Sequence, residues 1–242
     1  MNLKYSVIIP CNNEENFIEN LLEDLNGQTI NKKIYEIIVV DNASNDKTAQ
    51  IIWDFIYNKS TMKIKIIHEL KLGVSIARNS GSKIASGEVL VFLDADNRVS
   101  KKFLQIIESK ITKKTIGGSF KTKPYDGNYL FSFIFIILEI IKRYGFRSFG
   151  KSFISKEIFY KIGKFNENIV LGENVEIFLK LKKYGQKNKK KIIHITETIY
   201  CSSRRFQKVN PYIILKSWFF AYLGNWKLKY KTMSEINNYK SE

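Results

Sequence analysis

Two aspartates two residues apart, Asp94 and Asp96, close the apolar run Val89–Leu93. At the end of a buried strand such a pair can face one cation, with Ala95 directed away. Their hard oxygens suit Mg²⁺ or Mn²⁺, which take few protein ligands and fill their shell with water and substrate phosphates. Asp41 ends a second run, Glu36–Val40, and is followed by Asn42 and Ser44. A carboxylate there can accept hydrogen bonds from a ribose or a base. The same stretch is good turn and cap chemistry, so Ser44 and Asp46 read as caps. Arg204 and Arg205 are adjacent, in a chain that otherwise favours lysine. Such a pair can grip a diphosphate or an acceptor phosphate, with a surface ion pair as the alternative. No G-x-G-x-x-G occurs, which argues against a dinucleotide dehydrogenase; Gly145 through Ser152 does spell G-x-x-x-x-G-K-S, but it follows an expected helix and not a strand, so a P-loop enzyme is not expected.

These residues need a scaffold, and the hydrophobic pattern supplies one. Strands are expected at Tyr5–Ile9, Glu36–Val40, Lys63–Ile67 and Val89–Leu93. Helices are expected between them: one over 13–25, one capped by Ser44 or Asn45, and one over 74–85 that stops before Gly87. Single crossover helices make such strands parallel and cover both faces. Ligands then bind beyond the carboxyl ends of the strands. Three of those ends carry polar clusters, at 10–14, 41–44 and 94–96, which points to one site. Beyond residue 100 the pattern predicts helices at 101–109, 129–142 and 156–162, and one over 173–184 stopped by Gly185. Strands are expected at 116–120 and 192–195, and a basic aromatic helix from Pro211.

The 242 residues carry 40 Lys+Arg against 23 Asp+Glu, a formal charge of +17. That excess implies an acidic partner: nucleic acid, an anionic membrane surface or a phosphorylated substrate. Two cysteines, Cys11 and Cys201, exclude a disulfide-stapled scaffold and a Cys-rich zinc module. Cys11 reads as a small buried residue. His68 and His194 have no second His at ligand spacing and read as structural. The longest charge-free apolar run, 128–138, falls short of the ~20 residues that a spanning helix needs. No signal peptide is read at the start, so the expected location is cytoplasmic, with peripheral attachment to a membrane as an option. One domain over 1–242 is expected, with a nucleotide half over about 1–100, an acceptor-side half to about 205 and a basic aromatic end.

Several segments together resemble the family 2 glycosyltransferases, of GT-A fold. They are Ser6-Val-Ile-Ile-Pro-Cys-Asn-Asn-Glu14, Glu36 through Ser44, Gly73-Val-Ser-Ile-Ala-Arg-Asn79 and Gly87 through Asp96. The expected fold class is therefore α/β, a Rossmann-like, mostly parallel sheet with helices on both faces. The resemblance implies metal-assisted transfer of a sugar from a nucleotide-sugar, UDP-linked by default, usually with inversion. The acceptor would be a hydroxyl of a glycan, lipid-linked sugar or protein, in polysaccharide, glycolipid or glycoprotein synthesis. It also implies that Pro10, Asn12 and Glu14 line the nucleoside pocket, that Asp41 binds base or ribose, and that Arg78 sits near the nucleotide. Asp94 would face the ribose and the metal, and Asp96 would ligate a cation that bridges the diphosphate.

Gly172-Glu-Asn-Val-Glu176 resembles the family's G-E-D segment, whose Asp is the general base. Asn174 stands in that place and cannot take a proton. Glu173 is the expected substitute, with Glu176 next along the helix. An acidic first turn that complements a helix dipole is the plain alternative. Asn174, and Lys164 where relatives often carry a second Gly, also make a non-catalytic binding protein of the same fold a rival. A nucleic-acid-binding protein is suggested by charge alone, and no nucleic-acid motif supports it. The segments 129–141 and 211–230 read either as core-covering helices or as an interfacial face with aromatic anchors and basic side chains.

Overall fold

Runs of β-branched residues separated by single amphipathic helices commit the first hundred residues to parallel pairing, and the computed structural model has that arrangement. It describes residues 3–126, 151–169 and 172–204. β1 (Tyr5–Cys11) lies between β2 (Tyr35–Asp41) and β4 (Val89–Phe92), with β3 (Ile64–His68) beyond β2, all parallel. Every residue of β1 and β2 except Pro10 is buried, as expected of strands covered on both faces.

The second half adds β5 (Thr115–Pro124), β6 (Ser152–Ser155) and β7 (Lys191–Cys201). The seven strands form one sheet in the order β3-β2-β1-β4-β6-β5-β7. β6 is antiparallel to both β4 and β5, so the all-parallel rule expected from the first hundred residues stops at β4. At four residues, β6 is too short to show a period in the sequence. The parallel pairing resumes between β5 and β7.

Helices α1 (Ile18–Asn26), α2 (Thr48–Asn58) and α4 (Phe103–Lys110) cover one face. Helices α3 (Val74–Ile84), α5 (Lys156–Lys161) and α6 (Glu173–Lys187) cover the other. Leu21, Leu22 and Leu25 of α1 pack with Val7, Ile9, Ile37 and Val39 in one core. In the other, Phe92 stands 5.5 Å from Phe159 and 5.1 Å, edge-on, from Phe165. Each such fully buried side chain contributes ~1.5–3 kcal/mol relative to exposure.

Three boundaries differ from the periodicity, each for a local reason. α1 starts at Ile18 and not near Asn13, because the Glu14 carbonyl accepts from the N–H groups of both Phe17 and Ile18 in a preceding turn. α2 starts at Thr48. Its end is held by Asp46, which accepts from the Thr48 N–H at 2.9 Å, while the Ser44 hydroxyl is turned to the Asn13 N–H and caps nothing. α6 runs through Gly185 to Lys187. A Cβ at Gly185 would stand 3.3 Å from the Lys190 carbonyl oxygen and 3.4 Å from Ile116, so this glycine lets the helix lie close to β5 and does not end it. The predicted helices at 129–142 and from Pro211 lie outside the described residues.

Candidate active site at the carboxyl ends of the strands

β4 delivers Asp94 to the carboxyl edge of the sheet, and a tight turn follows. Asn97, fully buried, donates its backbone N–H to the Asp94 carbonyl and returns its side-chain oxygen to the Asp94 N–H, both at 3.0 Å. Its Nδ2 donates to Asp96 Oδ1 at 3.0 Å. One asparagine thus fixes the turn and one of its two carboxylates, while Ala95 packs into the core. Asn97 escaped the sequence reading. Its position one residue past an Asp-x-Asp pair was the available signal.

Arg78 joins this turn to the far half of the chain. It lies on α3 and its side chain is 3% exposed. NH2 reaches Asp94 Oδ1 at 2.9 Å, and NH1 reaches Glu173 Oε1 at 3.1 Å and Asn174 Oδ1 at 3.0 Å. Phe165 lies under the guanidinium at 5.3 Å. The neighbouring Asn79 clasps the same region, bonding both the N–H and the carbonyl of Phe165. Gly172, with φ 84, turns the chain into α6 so that Glu173 and Asn174 open the helix. Asn174 Nδ2 also donates to Glu173 Oε1 at 2.5 Å. Glu176, one turn on, pairs with Lys180 at 2.5 Å, and among the described residues its buried Oε2 has no hydrogen-bond partner.

Lys151 is the second residue that the sequence did not single out. The β4–β6 register aligns Phe92 with Ser152, so Lys151, the residue before it, arrives beside the exit of β4. Its Nζ lies 3.3 Å from Asp94 Oδ2, and its side chain is 15% exposed. Burial disfavours its charge, but the neighbouring Cys201 side chain and the Asp94 and Asp96 carboxylates more than offset that and hold its pKa above the ordinary lysine range.

Both Asp94 oxygens are therefore engaged by cations. Of the expected pair, Asp96 meets an amide, Nδ2 of Asn97, and Asp94 meets Arg78 and Lys151. Among the described residues, no three His, Cys, Asp or Glu side chains group as a metal cage. Mg²⁺ or Mn²⁺ does not need one, since a single carboxylate can suffice when a diphosphate and water complete the shell. Asp96 fits that requirement by chemistry and place.

The nucleoside-side expectations divide. Asp41 is buried; its Oδ1 accepts from the Ser44 N–H at 3.2 Å and its Oδ2 meets His68 Nδ1 at 2.9 Å. Asn12 is exposed and ties β1 to β2 through the carbonyls of Asn42 and Ala43, and Pro10 sits half-buried beside it. Asn42, expected to face the ligand, has its amide filled by the 69–73 loop: it donates to the carbonyls of Glu69 and Lys71 and accepts from the Gly73 N–H. That clasp positions the start of α3 and, through it, Arg78. Cys11 is buried, and burial together with Glu14, Asp41, Asp94 and Asp46 pushes its thiol pKa well up, so it is no nucleophile at neutral pH.

The ends of β5 and β7 fold over the same edge. Asp126 accepts from the Ser202 hydroxyl at 2.6 Å and from the Ser203 N–H. Burial would raise its pKa, but these hydrogen bonds outweigh it and hold the carboxyl below its usual range. Arg204 pairs with Glu14 and lies 4.2 Å over the Phe17 ring. It was expected at a phosphate; here its partners are a carboxylate and a ring, and it pins the end of β7 to the 10–14 loop. Arg205 lies outside the described residues.

Comparison with known proteins agrees with this architecture. Poly(ribitol-phosphate) beta-N-acetylglucosaminyltransferase TarS of Staphylococcus aureus is 36% identical over 103 residues, 43% of this chain and 18% of the enzyme. The chain thus spans under a fifth of that relative's length. The crystal structure of TarS 1–349 with UDP-GlcNAc superposes with a TM-score of 0.65 at 24% identity, covering 83% of this chain and 58% of that one. Mannosyltransferase PcManGT from Pyrobaculum calidifontis, with GDP-Man and Mn²⁺, superposes at 0.66 and 18% identity, covering 83% of this chain and 57% of that one. The fold is GT-A. The family model for Glycosyl transferase family 2 matches residues 6–166, more than half of the chain, and the chain belongs to that family.

Proposed function

We propose that the chain transfers a sugar from a nucleoside-diphosphate sugar, UDP-linked by default, to an acceptor hydroxyl in one displacement with inversion. The observation that carries this is Arg78. One buried guanidinium ties Asp94, at the donor edge of the sheet, to Glu173 at the start of α6. A donor-binding carboxylate and a candidate base are thereby held in one fixed site.

In the reaction the acceptor oxygen bonds to the anomeric carbon as the bond from that carbon to the diphosphate oxygen breaks. The acceptor proton passes to a carboxylate of α6. Glu173 is the leading base: Arg78 and Asn174 hold its Oε1, so the side chain is oriented before the acceptor arrives. Asn174 cannot take the proton and serves to orient Glu173. Glu176 is the second candidate. Asp41, Asn12 and Pro10 face the nucleoside, with Glu14 held by Arg204 behind them. Asp96 would hold Mg²⁺ or Mn²⁺, which when bound supplies Lewis-acid stabilisation to the departing diphosphate. The mannosyltransferase neighbour's structure with Mn²⁺ supports divalent metal use.

The test is release of nucleoside diphosphate from a panel of UDP- and GDP-sugars by the wild type, Glu173→Gln and Glu176→Gln. Turnover lost in Glu173→Gln with donor binding kept supports the reading. Nucleotide binding without turnover by the wild type would favour the non-catalytic rival.

The charge of +17 supports an acceptor presented at an anionic surface, such as a lipid-linked sugar at a membrane. Among the described residues no helix is long and apolar enough to cross a membrane. Flotation with anionic liposomes at low salt should carry the protein upward. Protein left at the bottom contradicts this part.

A further inference from the structure

In the turn after β4 and at the start of α6, Asp94, Asp96 and Glu173 lie beside two little-exposed cations, Arg78 and Lys151. The two cations are used differently. Arg78 is spread over Asp94, Glu173 and Asn174, which lock its two terminal nitrogens. Lys151 spends one of its three N–H donors on Asp94, at 3.3 Å. Its place is set by backbone pairing, since β6 brings it beside the exit of β4, at the edge where a parallel sheet receives ligands.

We propose that Lys151 is a cation for the donor diphosphate, anchored by Asp94, and that Asp94 acts as this anchor and not as a metal ligand. The inference rests on the donor-site reading above. An ammonium ion fixed among carboxylates costs no reorganisation when a diphosphate arrives. Its two remaining donors are available to phosphate oxygens, where charge-assisted hydrogen bonds are the strong ones. Lys151 then shares the neutralisation of the leaving group with the divalent ion, and diphosphate binding persists in part when the metal is removed.

The experiment compares UDP, GDP and uridine binding to the wild type, Lys151→Met and Lys151→Arg, with Mn²⁺ and with EDTA. The wild type is expected to keep measurable diphosphate binding in EDTA. Lys151→Met should weaken the diphosphate about tenfold or more in both conditions and leave uridine unchanged, and Lys151→Arg should recover most of the loss. Equal diphosphate affinity in wild type and Lys151→Met overturns the inference. Parallel loss of uridine and diphosphate also overturns it, since it would make Lys151 a structural residue. If the wild type binds neither diphosphate even with Mn²⁺, the donor-site reading itself fails, a result separate from the other two.

Discussion

At the amino ends of the strands, one buried carboxylate is fully answered by its surroundings. Glu36 accepts from the Ser6 hydroxyl at 2.8 Å and the Ser86 N–H at 2.6 Å, and pairs with Lys65 at 2.9 Å. Burial would raise its pKa, but these partners outweigh it and the net shift is downward. At the carboxyl ends, Asp94 and Glu173 share Arg78, Asp94 also meets Lys151, and Asp96 lies in the same turn. The first cluster joins β1, β2, β3 and the turn before β4. The second stands at the edge where a parallel sheet receives ligands. The same residue types therefore build a clamp at one end and a candidate site at the other, and the difference lies in their place on the sheet.

Substitutions should separate the two ends by what they damage. The largest effect is expected from Glu173→Gln, which should lower turnover about 10²–10⁴-fold while nucleotide affinity stays within twofold, read from diphosphate release and calorimetry. Glu36→Ala should do the reverse. It leaves Lys65 without its partner and should cost about 3 kcal/mol in urea unfolding, with nucleotide affinity unchanged in the folded protein. A carboxyl whose native pKa is depressed stabilises above its unfolded pKa, and loses that contribution as pH falls through the native value. The gap between wild type and Glu36→Ala should accordingly be full at pH 7 and close in acid.

Asn97→Ala should fall between the two ends. It frees Asp94 and Asp96 together, and donor affinity should drop about tenfold alongside a stability loss of ~1–2 kcal/mol. The smallest effect is expected at Lys164, which follows α5 and Gly163 with φ 55. Lys164→Gly should raise stability by up to ~1 kcal/mol by relieving a left-handed lysine, with no change in turnover.

The first four strands were legible because each is a run of β-branched residues long enough to show its period, and the polar residues at their ends announced the site. Asp41, Asp94 and Asp96 were visible for that reason. β6 was not, because Ser152–Ser155 is too short to carry a pattern, and with it went Lys151, which the Gly150-Lys151-Ser152 triplet could have flagged and which the antiparallel register with β4 places. For Asn42 and Arg204 the residue types suit ligands, and their long-range contacts with the 69–73 loop and with Glu14 could be read from no local pattern. Gly185 shows the same limit: a glycine in a helical pattern reads as a stop, and only the close approach to Ile116 reveals it as a packing residue.

The central claim, a metal-assisted nucleoside-diphosphate site built on the turn after β4, is tested most directly by calorimetric binding of UDP and GDP, with and without Mn²⁺, to wild type and Asp96→Ala. The account predicts binding of one nucleotide that strengthens with Mn²⁺ in the wild type, and loss of the Mn²⁺-dependent part in Asp96→Ala, with the melting temperature little changed. Equal Mn²⁺ dependence in the two proteins, or no binding of either nucleotide to the wild type, would contradict it.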